Sequence, residues 1–364
     1  MYKEKIRDKI GSMISLLKKQ KTTPRKTKII CTIGPSSKTE ATIKKMILEG
    51  MDIARFNFSH GHLEEFQRWA KIIRKLSKRF KRKVEIIQDL QGPRIRIGKL
   101  LTEGRHINSG SKVTLALGNS DLHRGEIPIA SDIELNLKRG DKVLMDKGSI
   151  ELGVKKSDGE KVVCVALTSG LIFSGKGVNV PSVQTDEPFT KKDLEDLEEG
   201  LKMGVDYIAL SFIEERKDVE DLREVVKDRA KIIAKIERPQ AIKNYEAILE
   251  VSDAVMIARG DLGIEIPFWK LPIIQKRAIR RAINVHKPSI VATDMLASMA
   301  VSSRPTRAEI LDVANAVMDG ASAVMLSDET AVGKHPICSV TVMRKIIEES
   351  ENFTNSQKLN SLLD

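Results

Sequence analysis

Short runs of β-branched and other apolar residues recur along the chain, separated by segments whose apolar positions follow helical spacing. The runs are KIICTIG (28–34), DIARFNFS (52–59), VEIIQDL (84–90), DYIALSF (206–212), KIIAKIE (231–237), DAVMIARG (253–260), PSIVATDM (288–295) and SAVMLSDE (322–329). Apolar strands alternating with amphipathic helical segments are the pattern of βα units around a parallel sheet. Eight such runs, seven followed directly by a helical pattern, predict an α/β fold of the (β/α)8 TIM-barrel type rather than an open sheet.

The series is interrupted after the third run. Between residues 94 and 183 the texture changes to short alternating runs such as KVTLAL, KVLMDKGSIEL and KVVCVALTSG, broken by Gly, Asp and Ser, which is an all-β pattern. The expected organisation is therefore a basic helical arm over 1–23, a barrel domain made of 24–93 and 184–364, and an inserted small β-barrel lid domain over 94–183. The insert, hinged near Pro93 and Pro181, would sit over the C-terminal face of the barrel as a lid. Helical periodicity resumes in TKKDLEDLEEGLKMG, with Thr190 as the N-cap.

Composition adds constraints. The 364 residues are 41% hydrophobic and 31% charged, without an apolar run of the length a membrane span needs, so no membrane partner is expected. Three widely spaced cysteines without a CxxC pattern, and an N-terminus lacking a signal-peptide pattern, favour a cytoplasmic location. The net charge of +12 invites a nucleic-acid reading, but +8 of it lies within residues 1–30, where ten basic residues face only Glu4 and Asp8. A solvated amphipathic helix, with Ile6, Ile10, Met13, Ile14 and Leu17 at helical spacing, explains that arm better than a nucleic-acid contact.

Barrel chemistry gathers where strands end, and here polar residues occupy consecutive strand ends: Arg55, Asn57, Ser59 and His60; Asp89; Ser211; Lys235 and Glu237; Arg259, Gly260 and Asp261; Thr293 and Asp294; Ser327 and Glu329. Singly, each has a structural explanation, such as an Arg55–Asp89 pair, a Lys235–Glu237 pair or a Ser helix cap. Together they indicate a site, because buried charges are costly unless all are paired. Glu237 and Asp261, hard oxygen ligands on neighbouring strands, suit Mg²⁺ or Mn²⁺. Arg55 and Lys235 suit a phosphate or an enolate oxygen, and the ARGDLG segment reads as a glycine-rich loop that brings backbone N–H groups close to an anion at the start of the following helix. This set belongs to phosphoryl transfer or enolate chemistry. Lys235 and Glu237 themselves read less as partners than as two arms around one anion.

The segments ARFNFSHG, DLQGPRIRIG, KGVNVP, AKIE, ARGDLGIEI and SRPTRAEILDVANAVMDGASAVMLSDETA resemble pyruvate kinase, in the family's order and over residues 24–352. The resemblance implies transfer of the phosphoryl group of phosphoenolpyruvate to ADP in glycolysis, giving ATP and pyruvate through an enolate that is then protonated. It assigns Glu237 and Asp261 to the divalent metal, Lys235 to the charge on the transferring group, and Arg55 with Arg96 to the phosphate. Thr293 would help deliver the proton, with Ser327 and Glu329 in the surrounding S-x-E-T motif. Gly260 and Ser211 would face the substrate, and Asn57, His60 and Lys192 would serve the nucleotide.

Departures from the family pattern refine the picture. Members that use K⁺ bind it near the matches of Asn57, Ser59 and Asp89; here Leu90 has no side-chain oxygen and Arg94 brings a fixed cation, which resembles the K⁺-independent branch, so K⁺ is not expected to be required. Asp294 replaces the usual Gln, and Asp328 the usual small residue. The chain ends soon after the eighth helix, implying a minimal form lacking the C-terminal effector domain; a homo-oligomer through the barrel is compatible with it. Two other functions compete: a metal-dependent decarboxylase or aldolase of 2-oxo acids, and a non-catalytic pyruvate kinase-like binding protein. Retention of the phosphate-side residues and the lid argues against the first. The complete set of acid, base and metal positions, with only 4% aromatic residues for base stacking, argues against the second.

Overall fold

The computed structural model describes residues 25–100, 103–117, 125–131, 135–183 and 189–353; the basic arm expected over 1–23 lies outside these residues. Each predicted barrel strand is present: β1 (Lys28–Thr32), β2 (Ile53–Asn57) and β3 (Glu85–Asp89), with helices α1 (Glu40–Glu49) and α2 (Leu63–Phe80) between them. An all-β segment follows, comprising β4 (Ile95–Ile97), β5 (Arg105–Ile107), β6 (Lys112–Leu117), β7 (Ile127–Ser131), β8 (Lys142–Met145), β9 (Ile150–Ser157), β10 (Lys161–Ala166), β11 (Gly170–Ile172) and β12 (Gly177–Asn179). The βα series then resumes with α3 (Lys191–Lys202), β13 (Tyr207–Leu210), α4 (Arg216–Val226), β14 (Lys231–Ile236), α5 (Pro239–Lys243), α6 (Tyr245–Val251) and β15 (Ala254–Ala258). It closes with α7 (Arg259–Glu265), α8 (Leu271–Asn284), β16 (Ser289–Ala292), α9 (Arg307–Met318), β17 (Ala323–Leu326), α10 (Asp328–Ala331) and α11 (Pro336–Phe353).

The eight βα strands form one closed parallel barrel in the order β1-β2-β3-β13-β14-β15-β16-β17, with β17 pairing back to β1. Its lumen is filled by Ile30, Ile53, Ile87, Ala209, Ile233, Ala254, Met256, Ile290, Ala323 and Met325, all buried. Because side chains alternate along a strand, the residues two and four positions further on also point inward. That parity carries Thr32, Arg55, Asn57, Asp89, Ser211, Lys235, Glu237 and Ser327 above the apolar plug, on the C-terminal face. Residues of the opposite parity, such as Ile29, Ile86, Ile232 and Ile257, pack against the helices in a second, larger core.

The segment after β3 closes a second barrel, β10-β6-β7-β4-β12-β8-β9, mostly antiparallel, with β5 and β11 as a separate two-stranded ribbon. It has its own core, including Ile97, Val113, Ile127, Val143, Leu152 and Val162. Thr190 caps α3 as its sequence suggests, in a capping box with Asp193, which reaches back to the Thr190 N–H.

One close approach ties the fold to the polar face. A Cβ on Gly34 would lie 2.7 Å from the backbone oxygen of Ala331 and 3.0 Å from its Cα. Backbone cannot swing aside as a side chain does, so Gly34→Ala is expected to push α10 outward and cost about 1–3 kcal/mol, as overpacking commonly does. Urea unfolding measures this, and an unchanged midpoint would show that α10 yields freely.

Candidate active site

Asp89, Ser211, Lys235 and Glu237 form a buried, fully bonded cluster at the top of the lumen. The Lys235 ammonium donates to Asp89 Oδ1 at 3.0 Å and Ser211 Oγ at 2.6 Å, and pairs with Glu237 Oε1 at 2.9 Å. These three acceptors use its three donors. Glu237 also accepts from the Phe212 backbone N–H at 2.8 Å, and Ser211 Oγ donates to the Leu90 carbonyl at 2.8 Å. Lys235 and Glu237, read from the sequence less as partners than as two arms around one anion, are here a direct ion pair, because inward parity and a spacing of two residues bring both heads over the same lumen.

Arg55 completes the cluster from β2. Its Nε donates to Asp89 Oδ2 at 2.6 Å and one terminal nitrogen to Thr32 Oγ1 at 2.9 Å. Burial by itself would raise the Asp89 carboxyl, but Lys235 and Arg55 hold it below the usual carboxylate range. For Lys235, burial pulls the ammonium down and the carboxylates of Asp89 and Glu237 more than reverse this, so it stays charged. Two cations and two carboxylates in a dry site are mutually compensated until a ligand competes for them.

Glu237 is set against a second carboxylate. Burial raises its carboxyl, Lys235 opposes that, and the neighbouring carboxylate of Asp261 raises it further. Asp261 lies in the first turn of α7, directly after β15. The ARGDLG segment stands at the start of a helix, as expected, and the helix begins at once: β15 ends at Ala258 and Arg259–Glu265 is helical. No group of three or more His, Cys, Asp or Glu side chains converges to hold a metal among the described residues. The protein thus offers two hard oxygen ligands whose repulsion a divalent cation would relieve.

Thr293 and Asp294, beyond β16, have φ of 76° and 55°. A β-branched residue in the left-handed region is strained, and Arg259 holds it there: its Nε donates to the Thr293 carbonyl at 3.1 Å while another nitrogen pairs with Asp312 at 2.6 Å. The same turn needs a glycine beside it, since a Cβ on Gly260 would meet Thr293 Cγ2 at 2.8 Å. Glu329 is buried and accepts from the N–H groups of Leu296 at 3.0 Å and Ser327 at 2.7 Å. It fastens the β16 and β17 ends together. The Ser327 side chain makes no cap bond to α10.

On the β2 side, Arg94 donates to Ser59 Oγ at 2.7 Å and Asn57 Oδ1 accepts from the Ser59 N–H at 3.2 Å. Leu90 is buried and its side chain offers only apolar atoms. His60 sits at the rim, its imidazole held below its ordinary value by partial burial and then by Arg94, Arg96 and Arg55, so it is neutral at pH 7. Lys192 reaches from α3 to the Phe58 carbonyl at 3.4 Å and pairs with Asp196.

Between the two barrels lies a cleft of about 260 Å³, lined among others by Arg94, Arg96, Lys147, Lys176, Phe212 and Asp261. Arg96 donates to the Gly175 carbonyl at 2.8 Å, within the second barrel. Lys147 and Lys176, not among the candidate residues named from the sequence, face this cleft from turn segments; Lys176 opens the KGVNVP segment and Lys147 precedes Gly148, but neither lies at a barrel strand end. A further missed residue is Arg238. It is 5% exposed and donates to Val180 O at 3.1 Å and Val183 O at 2.6 Å, while pairing with Glu214 at 2.5 Å and Glu265 at 3.4 Å. One guanidinium next to Glu237 thereby holds the segment that returns from the second barrel after β12.

The model of the family described as "Pyruvate kinase, barrel domain" matches residues 24–340. A pyruvate kinase of Thermococcus litoralis is 43% identical over 336 residues, covering 91% of this chain and 71% of that protein. One from Mycobacterium tuberculosis is 42% identical over 341 residues, covering 92% and 72%. Among solved structures, a pyruvate kinase from Cryptosporidium parvum superposes with a TM-score of 0.86 at 37% identity, covering 91% of this chain and 70% of that one.

Proposed function

The chain belongs to the pyruvate kinase family, and from that premise we propose how its residues divide the transfer of a phosphoryl group from phosphoenolpyruvate to ADP. The activity is that of a phosphotransferase producing pyruvate and ATP, and the family uses a divalent metal. The observation that carries the residue assignment is the compensated cluster of Arg55, Asp89, Ser211, Lys235 and Glu237 at the top of the lumen.

Glu237 and Asp261 would hold the divalent cation, Mg²⁺ or Mn²⁺, whose chemistry there is to neutralise oxyanions of the phosphate and carboxylate. Lys235, kept charged by Asp89, faces the charge that builds on the transferring group and on the enolate oxygen. Ser211 and Asp89 orient its ammonium. Arg55, held by Asp89 and Thr32, grips the phosphate with Arg96. Gly260 offers its N–H to the substrate carboxylate. Thr293 stands where the enolate carbon takes up its proton, and Ser327 and Glu329 fix that wall of the site. Asn57, His60 and Lys192 serve the nucleotide side, joined by Lys147 and Lys176 across the cleft. Residues 94–183 act as a lid over residues 24–93 and 184–364.

Arg238 keeps the lid's return segment seated. Arg238→Met is expected to raise KM for phosphoenolpyruvate and ADP about tenfold with a smaller change in kcat, as loss of substrate enclosure does. Steady-state kinetics measures both constants, and an unchanged KM would contradict the role.

Arg94 supplies the positive charge that a monovalent ion would bring, because Leu90 gives that ion no side-chain oxygen and Arg94 already occupies Ser59. Turnover by protein prepared free of K⁺ is therefore expected to change less than about twofold when K⁺ is added, and a mutation Arg94→Met to create a K⁺ response. A tenfold or greater rise with the unaltered protein would refute this.

A further inference from the structure

We propose that a cavity on the outer wall of the barrel, behind β14 and β15, binds an amphiphilic carboxylate: a flexible acyl chain with one anionic head. The cavity measures about 380 Å³, within the range of small-molecule sites, and lies between α5 and α6 on one side and α8 on the other. Its floor is Ile236 and Ile257, both buried. Parity places them there, since each alternates with an inward-facing residue of the catalytic face. Tyr245 and Ala278 wall it, joined by a hydrogen bond from the Tyr245 hydroxyl to the Ala278 carbonyl at 2.8 Å.

The mouth has the opposite character. Lys243, Arg277, Arg280 and Arg281 ring it, with Glu246 as its one acid. Glu246 is taken by Arg281, in two contacts of 2.6 and 2.8 Å. Lys243, Arg277 and Arg280 make no hydrogen bond or ion pair with other described residues.

Apolar depth excludes a bare hydrated anion such as inorganic phosphate, and an uncompensated cationic rim disfavours a neutral hydrocarbon. What complements both is an apolar body with its anion left at the mouth. Burial of the body supplies affinity, and the exposed cations, individually weak in water, select the sign of the head. The site shares its strands with the reaction centre: Ile236 precedes Glu237, and Ile257 lies two residues before Arg259.

The test uses the full chain and decanoate below its micelle-forming concentration, titrated by calorimetry. Saturable one-to-one binding is expected, weakened at least tenfold by Arg277→Glu/Arg280→Glu and by Ala278→Trp, which fills the cavity. Decanol is expected to bind at least tenfold more weakly than decanoate. The double variant changes exposed residues outside the reaction centre, so retained ATP formation from phosphoenolpyruvate certifies its fold. No saturable binding, equal binding of decanol, or binding indifferent to both variants would overturn the proposal. Sedimentation with phosphatidylglycerol vesicles separates the two sources of such a head: vesicle binding unaffected by Arg277→Glu/Arg280→Glu supports a free amphiphile, whereas vesicle binding lost in that variant would transfer the site to a membrane surface and overturn the small-ligand reading.

Discussion

Glu237→Gln is expected to weaken Mg²⁺ binding at least a hundredfold and to lower kcat at saturating metal by about 10²–10³. The reasoning starts from charge. Glu237 and Asp261 are like charges whose proximity raises the Glu237 carboxyl, on top of burial, and a divalent cation turns that repulsion into attraction. An amide keeps the shape and the bond from the Phe212 N–H but removes the charge and one good ligand oxygen. It also leaves Lys235 with one carboxylate partner instead of two. Metal titration followed by Mn²⁺ relaxation, alongside steady-state rates, separates the two effects. Unchanged metal affinity would move the cation site away from these residues.

The second large effect is on stability. Lys235→Met removes the only cation among the described residues that touches both Asp89 and Glu237, side chains that are each 1% exposed. Uncompensated buried charge costs about 3–5 kcal/mol, lowering the urea midpoint accordingly. Adding Asp89→Asn or Glu237→Gln to that variant is expected to recover part of the loss, because the residual penalty is the orphaned carboxylate. Additive losses in the double variants would mean that the cluster is not electrostatically coupled. Together these two expected results assign the cluster both of the roles that its sequence left as alternatives: compensated buried charge, and charges that a ligand can redeploy.

Much of this was legible in the chain because burial writes a period. Strand runs such as KIIAKIE and DAVMIARG are long, β-branched and flanked by helical spacing, so both their number and their inward parity follow from alternation alone. The polar residues of the site are visible for the same reason: Arg55, Asp89, Lys235 and Glu237 break apolar runs at positions where packing has no use for them. What alternation does not encode is contact between distant segments. Arg238 reads as an ordinary basic residue before a proline, since its partners Val180, Val183, Glu214 and Glu265 come from three separate stretches. The pairing of Lys235 with Glu237 is underdetermined by spacing, which permits both one shared partner and two separate ones. Gly260 and Gly263 lower helix propensity in ARGDLG, so alternation alone does not say where the helix after β15 begins. Here the Arg259 contacts to Asp312 and Thr293 override that low propensity. The left-handed turn at Thr293 has no propensity signal at all, being imposed by those neighbours.

The central claim is that Lys235, on the same strand end as the proposed metal ligand Glu237, stabilises the charge developed in phosphoryl transfer. The measurement that tests it most directly is a single turnover of phosphoenolpyruvate with ADP and Mg²⁺ on folded Lys235→Met, run below its melting temperature with enzyme in excess. The rate of ATP formation is expected to fall at least about 10³-fold while phosphoenolpyruvate binding weakens far less, because the lost interaction belongs to the transition state. A rate within tenfold of the unaltered protein would contradict the account.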